Sequence, residues 1–176
     1  MEYVVDSALT GVITADKVVC LHGADAFTLT ARALNSALDV AAQGKTIVYV
    51  ACEGDWQLSA ILTQAKAARH LTQVHGLFVL PKAVNLLKPG TVDLLAKIVA
   101  GKVGHPDLIV LDCLAYCFGA DELNPDAMSR FLVSLNHLQE ITGAHILLLH
   151  RTGRAAVRGS RSTAAPPTGM TLVAAA

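Results

Sequence analysis

The chain has 176 residues, is 53% hydrophobic and only 16% charged, and its 14 Lys and Arg balance 14 Asp and Glu to a formal net charge of zero. That length suits one domain, residues 1–176, with a proper core, and the neutral balance excludes a nucleic-acid binder that works through a global basic field. The apolar richness favours an α/β protein with a buried parallel sheet over a half-wet antiparallel one.

The opening MEYVVDSALTG has neither a basic n-region nor an apolar h-region, so it does not read as a signal peptide. No run of 18 apolar residues occurs, so no membrane partner is expected and the expected location is cytoplasmic. Cys20, Cys52, Cys113 and Cys117 lack the spacing of a disulfide framework or a zinc site. Most lie in or beside apolar strands, where cysteine behaves as a small hydrophobe.

Taken in order, Asp16 and Lys17 precede a short β-type run, Val18–Leu21. A helix is expected over Thr28–Ala42, with Gly44 as its stop. Thr46–Ala51 is an apolar strand that ends in Cys52-Glu53-Gly54, and Trp56 to about His70 is a helix. Gly76–Leu80 is a short strand closed by Pro81; Thr91–Val99 is helical, and Gly101–Pro106 reads as a loop. Leu108–Leu111 is a strand that ends in Asp112, and Cys113–Asp126 reads as an irregular functional loop. Asp126–Thr142 is a helix whose apolar face is spaced by Leu132, Leu135, Leu138 and Ile141. Ala144–Leu149 is a buried strand that ends in His150. Beyond it, residues 151–169 form a Gly/Ser/Arg-rich flexible loop, and Met170–Val173 offers one more strand.

This alternation predicts right-handed crossovers and a mostly parallel central sheet with helices on both faces. Ligands of such sheets bind at the carboxyl ends of the strands, where His22, Gly23, Glu53, Asp112 and His150 collect. The stretch VVCLHGADAFTLTARAL, residues 18–34, has the strand–loop–helix frame of a phosphate-binding loop. Against G-x-x-x-x-G-K-[ST], Gly23 takes the first glycine and Thr30 the final hydroxyl, but Thr28 replaces the second glycine and Leu29 the lysine. Asp25 adds a negative charge, Phe27 adds bulk, and the β-carbons of Ala26 and Thr28 penalise left-handed backbone. A charge-assisted phosphate contact worth roughly 1.5–3 kcal/mol is lost with the lysine. Arg32 and Lys17 are the candidate replacements.

Beyond the frame, four strings are similar to a known family: PKAVNLLKPGTVDLLAKI (81–98), PDLIVLDCLAYCFGADELN (106–124), FLVSLNHLQEITGAHILLLHRTGR (131–154) and RGSRS (158–162). In order and at matching spacing, they resemble the RecA-like P-loop ATPases of the RepA hexameric helicase type, found in plasmids and phages. The resemblance implies a RecA-like fold, here shortened at its C-terminus, since members continue for further strands. It places Asp112 and Thr30 at the Mg²⁺-binding positions, Glu53 at the glutamate that deprotonates the attacking water, and His150 at a γ-phosphate sensor. Gly23, Thr28, Leu29 and Thr30 fall on its nucleotide loop. Arg151, Arg154, Arg158 and Arg161 fall in a stretch that faces DNA or a neighbouring subunit.

The implied cofactors are ATP and Mg²⁺ where the site is still competent, and otherwise none. The expected function is a DNA replication or recombination factor with a degenerate Walker A loop and little or no ATP hydrolysis. It would bind single-stranded DNA and form a homo-oligomeric ring or join an active paralogue. The alternatives are an active DNA-dependent ATPase with a variant loop, or a non-catalytic regulatory partner of such an enzyme. Tyr116 and Phe118 are read as packing under the loop or as base-stacking groups. His22, His75, His105, His137 and His145 are read as loop or surface residues.

Overall fold

A computed structural model describes residues 18–53, 56–152 and 171–174. Six strands, β1 (Val18–Gly23), β2 (Ile47–Ala51), β3 (Leu77–Leu80), β4 (Leu108–Asp112), β5 (His145–Arg151) and β6 (Thr171–Ala174), form one sheet in the order β3-β2-β4-β5-β1-β6. Every pairing is parallel.

The connections alternate with helices: α1 (Ala26–Ala42), α2 (Trp56–Ala68), α3 (Thr91–Val103), the single turn α4 (Leu114–Phe118) and α5 (Pro125–Thr142). From β1 through β3 the chain steps across the sheet in one direction, and from β3 through β6 it steps back. With right-handed crossovers, that reversal puts successive helices on opposite faces.

Two cores follow from the period-two alternation of the strands. Val19, Leu21, Tyr49, Ala51, Val110, Leu147 and Leu149 pack against Leu29, Ala33, Leu34 and Ala37 of α1 and Leu58, Ile61 and Ala65 of α2. On the other face, Val50, Ile109, Leu111, Ile146 and Leu148 meet Val92, Leu95 and Val99 of α3, and α4 and α5. The expected doubly covered parallel sheet of a RecA-like P-loop fold is what forms.

Four local expectations change. Helix α3 runs on to Val103, because Gly104, at φ 74°, rather than Gly101, provides the stop. Cys113–Asp126 is not irregular throughout: it contains α4, whose Phe118 is fully buried edge-on against Phe131 at 5.3 Å between ring centroids. Tyr116, on the same turn, is exposed. In α5 the buried stripe is Ala127, Phe131, Leu135, Leu138 and Thr142. Ile141 is exposed, because a strict three-residue spacing drifts off a 3.6-residue helical face. His22 and His145 lie within strands, at the end of β1 and the start of β5. Of the described residues, no helix is long and apolar enough to cross a membrane.

Candidate functional site

The carboxyl end of the sheet brings Glu53 and Asp112 together with Thr30 of α1. Ala51 of β2 pairs with Asp112 of β4, Asp112 with Leu149 of β5, and Arg151 of β5 with Gly23 of β1. Over these ends lies a small cleft lined by Thr30, Ala51, Glu53, Gln57, Leu58, Asp112 and Arg151, with room on the order of one water molecule. Its position at the carboxyl ends is where an open parallel sheet binds ligands.

Asp112 is the anchor. As the last residue of a fully buried strand it is itself buried. Its Oδ2 accepts hydrogen bonds from the hydroxyls of Thr30 and Tyr49, each at 2.9 Å. Its Oδ1 has no hydrogen-bond partner and lies 3.6 Å from a guanidinium nitrogen of Arg151. Burial pushes the Asp112 carboxyl above its ordinary range, against the pull of the two hydroxyls and of Arg151. Tyr49 is pushed well above the ordinary phenol range, first by burial and then by the Asp112 charge.

Arg151 closes the cleft from β5. Its guanidinium donates to Glu53 Oε1 at 2.6 Å, the geometry of a strong charge-assisted bond. Burial lowers the guanidinium's affinity for its proton, but the Glu53 hydrogen bond and the surrounding negative groups outweigh it, and the net shift is upward. Sequence position grouped Arg151 with the loop arginines, whereas its side chain is turned into the cleft. The alternation of β5 was the available signal: Leu149 and Arg151 share a face, and Leu149 is core on the α1 side. His150, on the opposite face, directs Nε2 to Glu122 Oε2 at 3.1 Å and does not line the cleft. Arg154, Arg158 and Arg161 lie outside the described residues, as does Lys17. Arg32 donates to the carbonyl of Ala174 at 2.9 Å, which ties α1 to β6.

The β1–α1 connection has only two residues outside regular structure, Ala24 and Asp25, and the helix starts at Ala26, earlier than the sequence pattern predicts. Asp25 is the reason: extended at φ −93°, it caps the helix, its Oδ1 accepting the Thr28 N–H at 2.7 Å. Hydrogen bonds from Thr28 hold its carboxyl below the usual range. Asp25 followed by a helical pattern was a legible N-cap signal that the near-match to a phosphate loop obscured. Leu29, at the lysine position, is fully buried in the α1 core, and Phe27 is exposed.

A family model described as an AAA domain matches residues 4–157. The chain belongs to the AAA domain family of P-loop ATPases. No curated protein matches the chain. For a member of this family the implied ligands are ATP and Mg²⁺, and the residues fit them unequally. The Thr30 hydroxyl and the Oδ1 of Asp112, which has no hydrogen-bond partner but lies beside Arg151, are hard oxygen donors of the type Mg²⁺ takes. The two-residue link, with a carboxylate already on the helix N-terminus, does not fit a polyphosphate, which needs several free backbone N–H groups there.

Proposed function

We propose that this AAA domain protein is a DNA replication or recombination factor of RepA-like lineage with a degenerate Walker A loop, in which ATP hydrolysis by the usual P-loop route has been lost. The observation that carries the catalytic half of this reading is the β1–α1 connection: two residues long, capped by Asp25, and followed by a core leucine where the family keeps a lysine. Phosphoryl transfer depends on positioning and on stabilising charge. Here the helix N-terminus meets a carboxylate instead of a phosphate, and the only described cation beside the cleft carboxylates, Arg151, is already bound to Glu53.

The DNA half of the reading is supported by the family resemblance and by the cluster Arg154, Arg158 and Arg161, which has no acidic residue among its 8 positions. The protein works as an oligomer, with itself or with an active paralogue. Two measurements test the reading. Calorimetric titration with ATP–Mg²⁺ gives no binding heat, and phosphate release with single-stranded DNA stays at background. Fluorescence anisotropy shows salt-dependent binding of single-stranded DNA that Arg154→Ala and Arg158→Ala weaken. Turnover above background removes the first half, and no DNA binding at low salt removes the second.

One observation favours a second reading, an ATPase with a variant loop: Thr30 and Asp112 keep a buried contact across the sheet end. On that reading phosphate release is DNA-stimulated and falls in Asp112→Asn and Glu53→Gln.

A further inference from the structure

Three of the four cysteines crowd the carboxyl end of the sheet. Cys52 directly precedes Glu53, Cys113 directly follows Asp112, and Cys117 lies one turn further on in α4. Two of them meet. The Sγ atoms of Cys52 and Cys117 are 3.2 Å apart, across 65 residues of chain. Both are buried in the core on the α3–α5 face, among Val84, Leu86 and Leu114. Cys113 faces the other core with Ala51 and Leu149, and Cys20 lies further back, in the middle of β1.

We propose that Cys52 and Cys117 are a disulfide-forming pair, a site of reversible oxidation by small hydroperoxides. A disulfide needs its sulfurs at about 2.05 Å, so the pair must close by a little over 1 Å. That is within reach of side-chain rotation where one partner sits at a strand end and the other in a single-turn helix.

The step balances with a hydroperoxide as the oxidant. The thiolate of Cys52 attacks the terminal oxygen; an S–O bond forms, the O–O bond breaks, and the alkoxide or hydroxide leaves with a proton as alcohol or water. Cys117 then attacks the sulfenic sulfur of Cys52; the S–S bond forms, the S–O bond breaks, and the hydroxyl leaves as water with the Cys117 proton. Two thiols lose two electrons, and the peroxide gains them.

Access comes from the cover. Helix α4 is one turn of five residues, held to the chain before α3 by a hydrogen bond from the Leu86 N–H to the Cys117 carbonyl at 2.8 Å. An opening of this one turn, which lifts Phe118 from its contact with Phe131, is smaller than any opening of the sheet beneath it and is the route by which the oxidant reaches the pair. The bridge would tie α4 to the end of β2. It closes a long loop of the unfolded chain, which raises the melting midpoint by on the order of 10 °C. Because Cys52 carries Glu53, the bridge also fixes the chain at the partner of Arg151.

The test uses the full chain treated with hydrogen peroxide, then alkylated under denaturing conditions and mapped by mass spectrometry. The expected result is a Cys52–Cys117 cross-linked peptide that dithiothreitol reverses, with Cys20 and Cys113 alkylated and the melting midpoint raised. In Cys117→Ser, a sulfenic-acid probe labels Cys52 and no bridge forms. Four alkylated thiols after treatment, or bridges that involve Cys20 or Cys113 or join two chains, overturn the assignment. The peptide map of the wild-type chain decides the matter by itself if the serine variant fails to fold.

Discussion

The oxygen-rich half of the cleft and the half facing the start of α1 share the same strands and helix, yet only the first keeps the arrangement that a P-loop frame implies. Thr30 and Asp112 remain in contact at 2.9 Å because both are fixed by core: Asp112 by a strand buried along its length, Thr30 by a helix whose next turns carry Ala33, Leu34 and Ala37. The other half depended on a loop whose function lay in glycine backbone freedom. Here side chains stand at those positions, the helix starts at Ala26 on an Asp25 cap, and Leu29 is packed in the core. Packing preserves what it holds, and a ligand cradle persists only while its backbone remains free to turn.

The largest expected effect comes from restoring the missing charge. Leu29→Lys puts an ammonium into a fully buried site among the apolar side chains of the α1 core. It should cost about 3–5 kcal/mol in denaturant unfolding, the penalty of an uncompensated buried charge. It should also yield no phosphate release. A variant of wild-type stability that turns over ATP would break the comparison, because α1 would then be able to turn the residue outward.

Arg151→Met comes next. It leaves Glu53 and Asp112 facing one another without their shared cation. The loss should be roughly 2–3 kcal/mol, below that of a wholly buried pair because Glu53 is partly solvated. Adding Glu53→Gln should recover part of it, and a double-mutant cycle without coupling would show that the guanidinium acts through packing alone.

How much of this was legible follows the same division. The strands, the two-faced sheet and the meeting of Thr30, Glu53 and Asp112 were readable, because apolar periodicity and strand-end polarity report the core that fixes them. Arg151 was misgrouped because composition shifts toward Gly, Ser and Arg where β5 still continues to its last residue. The Asp25 cap was hidden because one stretch carries two signals, and only the backbone shows which one wins. The single turn of α4 left no periodicity long enough to detect.

The acid dependence of the two carboxylates sharpens the contrast further. Burial raises the Asp112 carboxyl, so the folded state favours its neutral form. Its contribution is full below the unfolded-state value of 3.8 and is lost as pH rises through the raised one. Relative to Asp112→Asn, the wild-type chain should lose stability as pH rises across that window; parallel curves for the two would mean that Arg151 fully compensates the buried charge.

Asp25 has the opposite sign and the smallest effect. Its carboxyl is held low by hydrogen bonds from the Thr28 side chain and N–H, so its contribution is present above the unfolded-state value of 3.8 and is lost as pH falls through the lowered one. Asp25→Ala should therefore lower the melting midpoint by roughly 3 °C at neutral pH, the usual loss for an N-cap, with the gap closing in acid. The same variant frees the N-terminus of α1 for an outside anion. If pyrophosphate then raises the midpoint of the variant but not of the wild-type chain, the aspartate has been acting as an internal stand-in for a phosphate. If neither responds, charge is not what closes the site. The two-residue link is then too short to present its N–H groups, and only lengthening it would reopen the cradle.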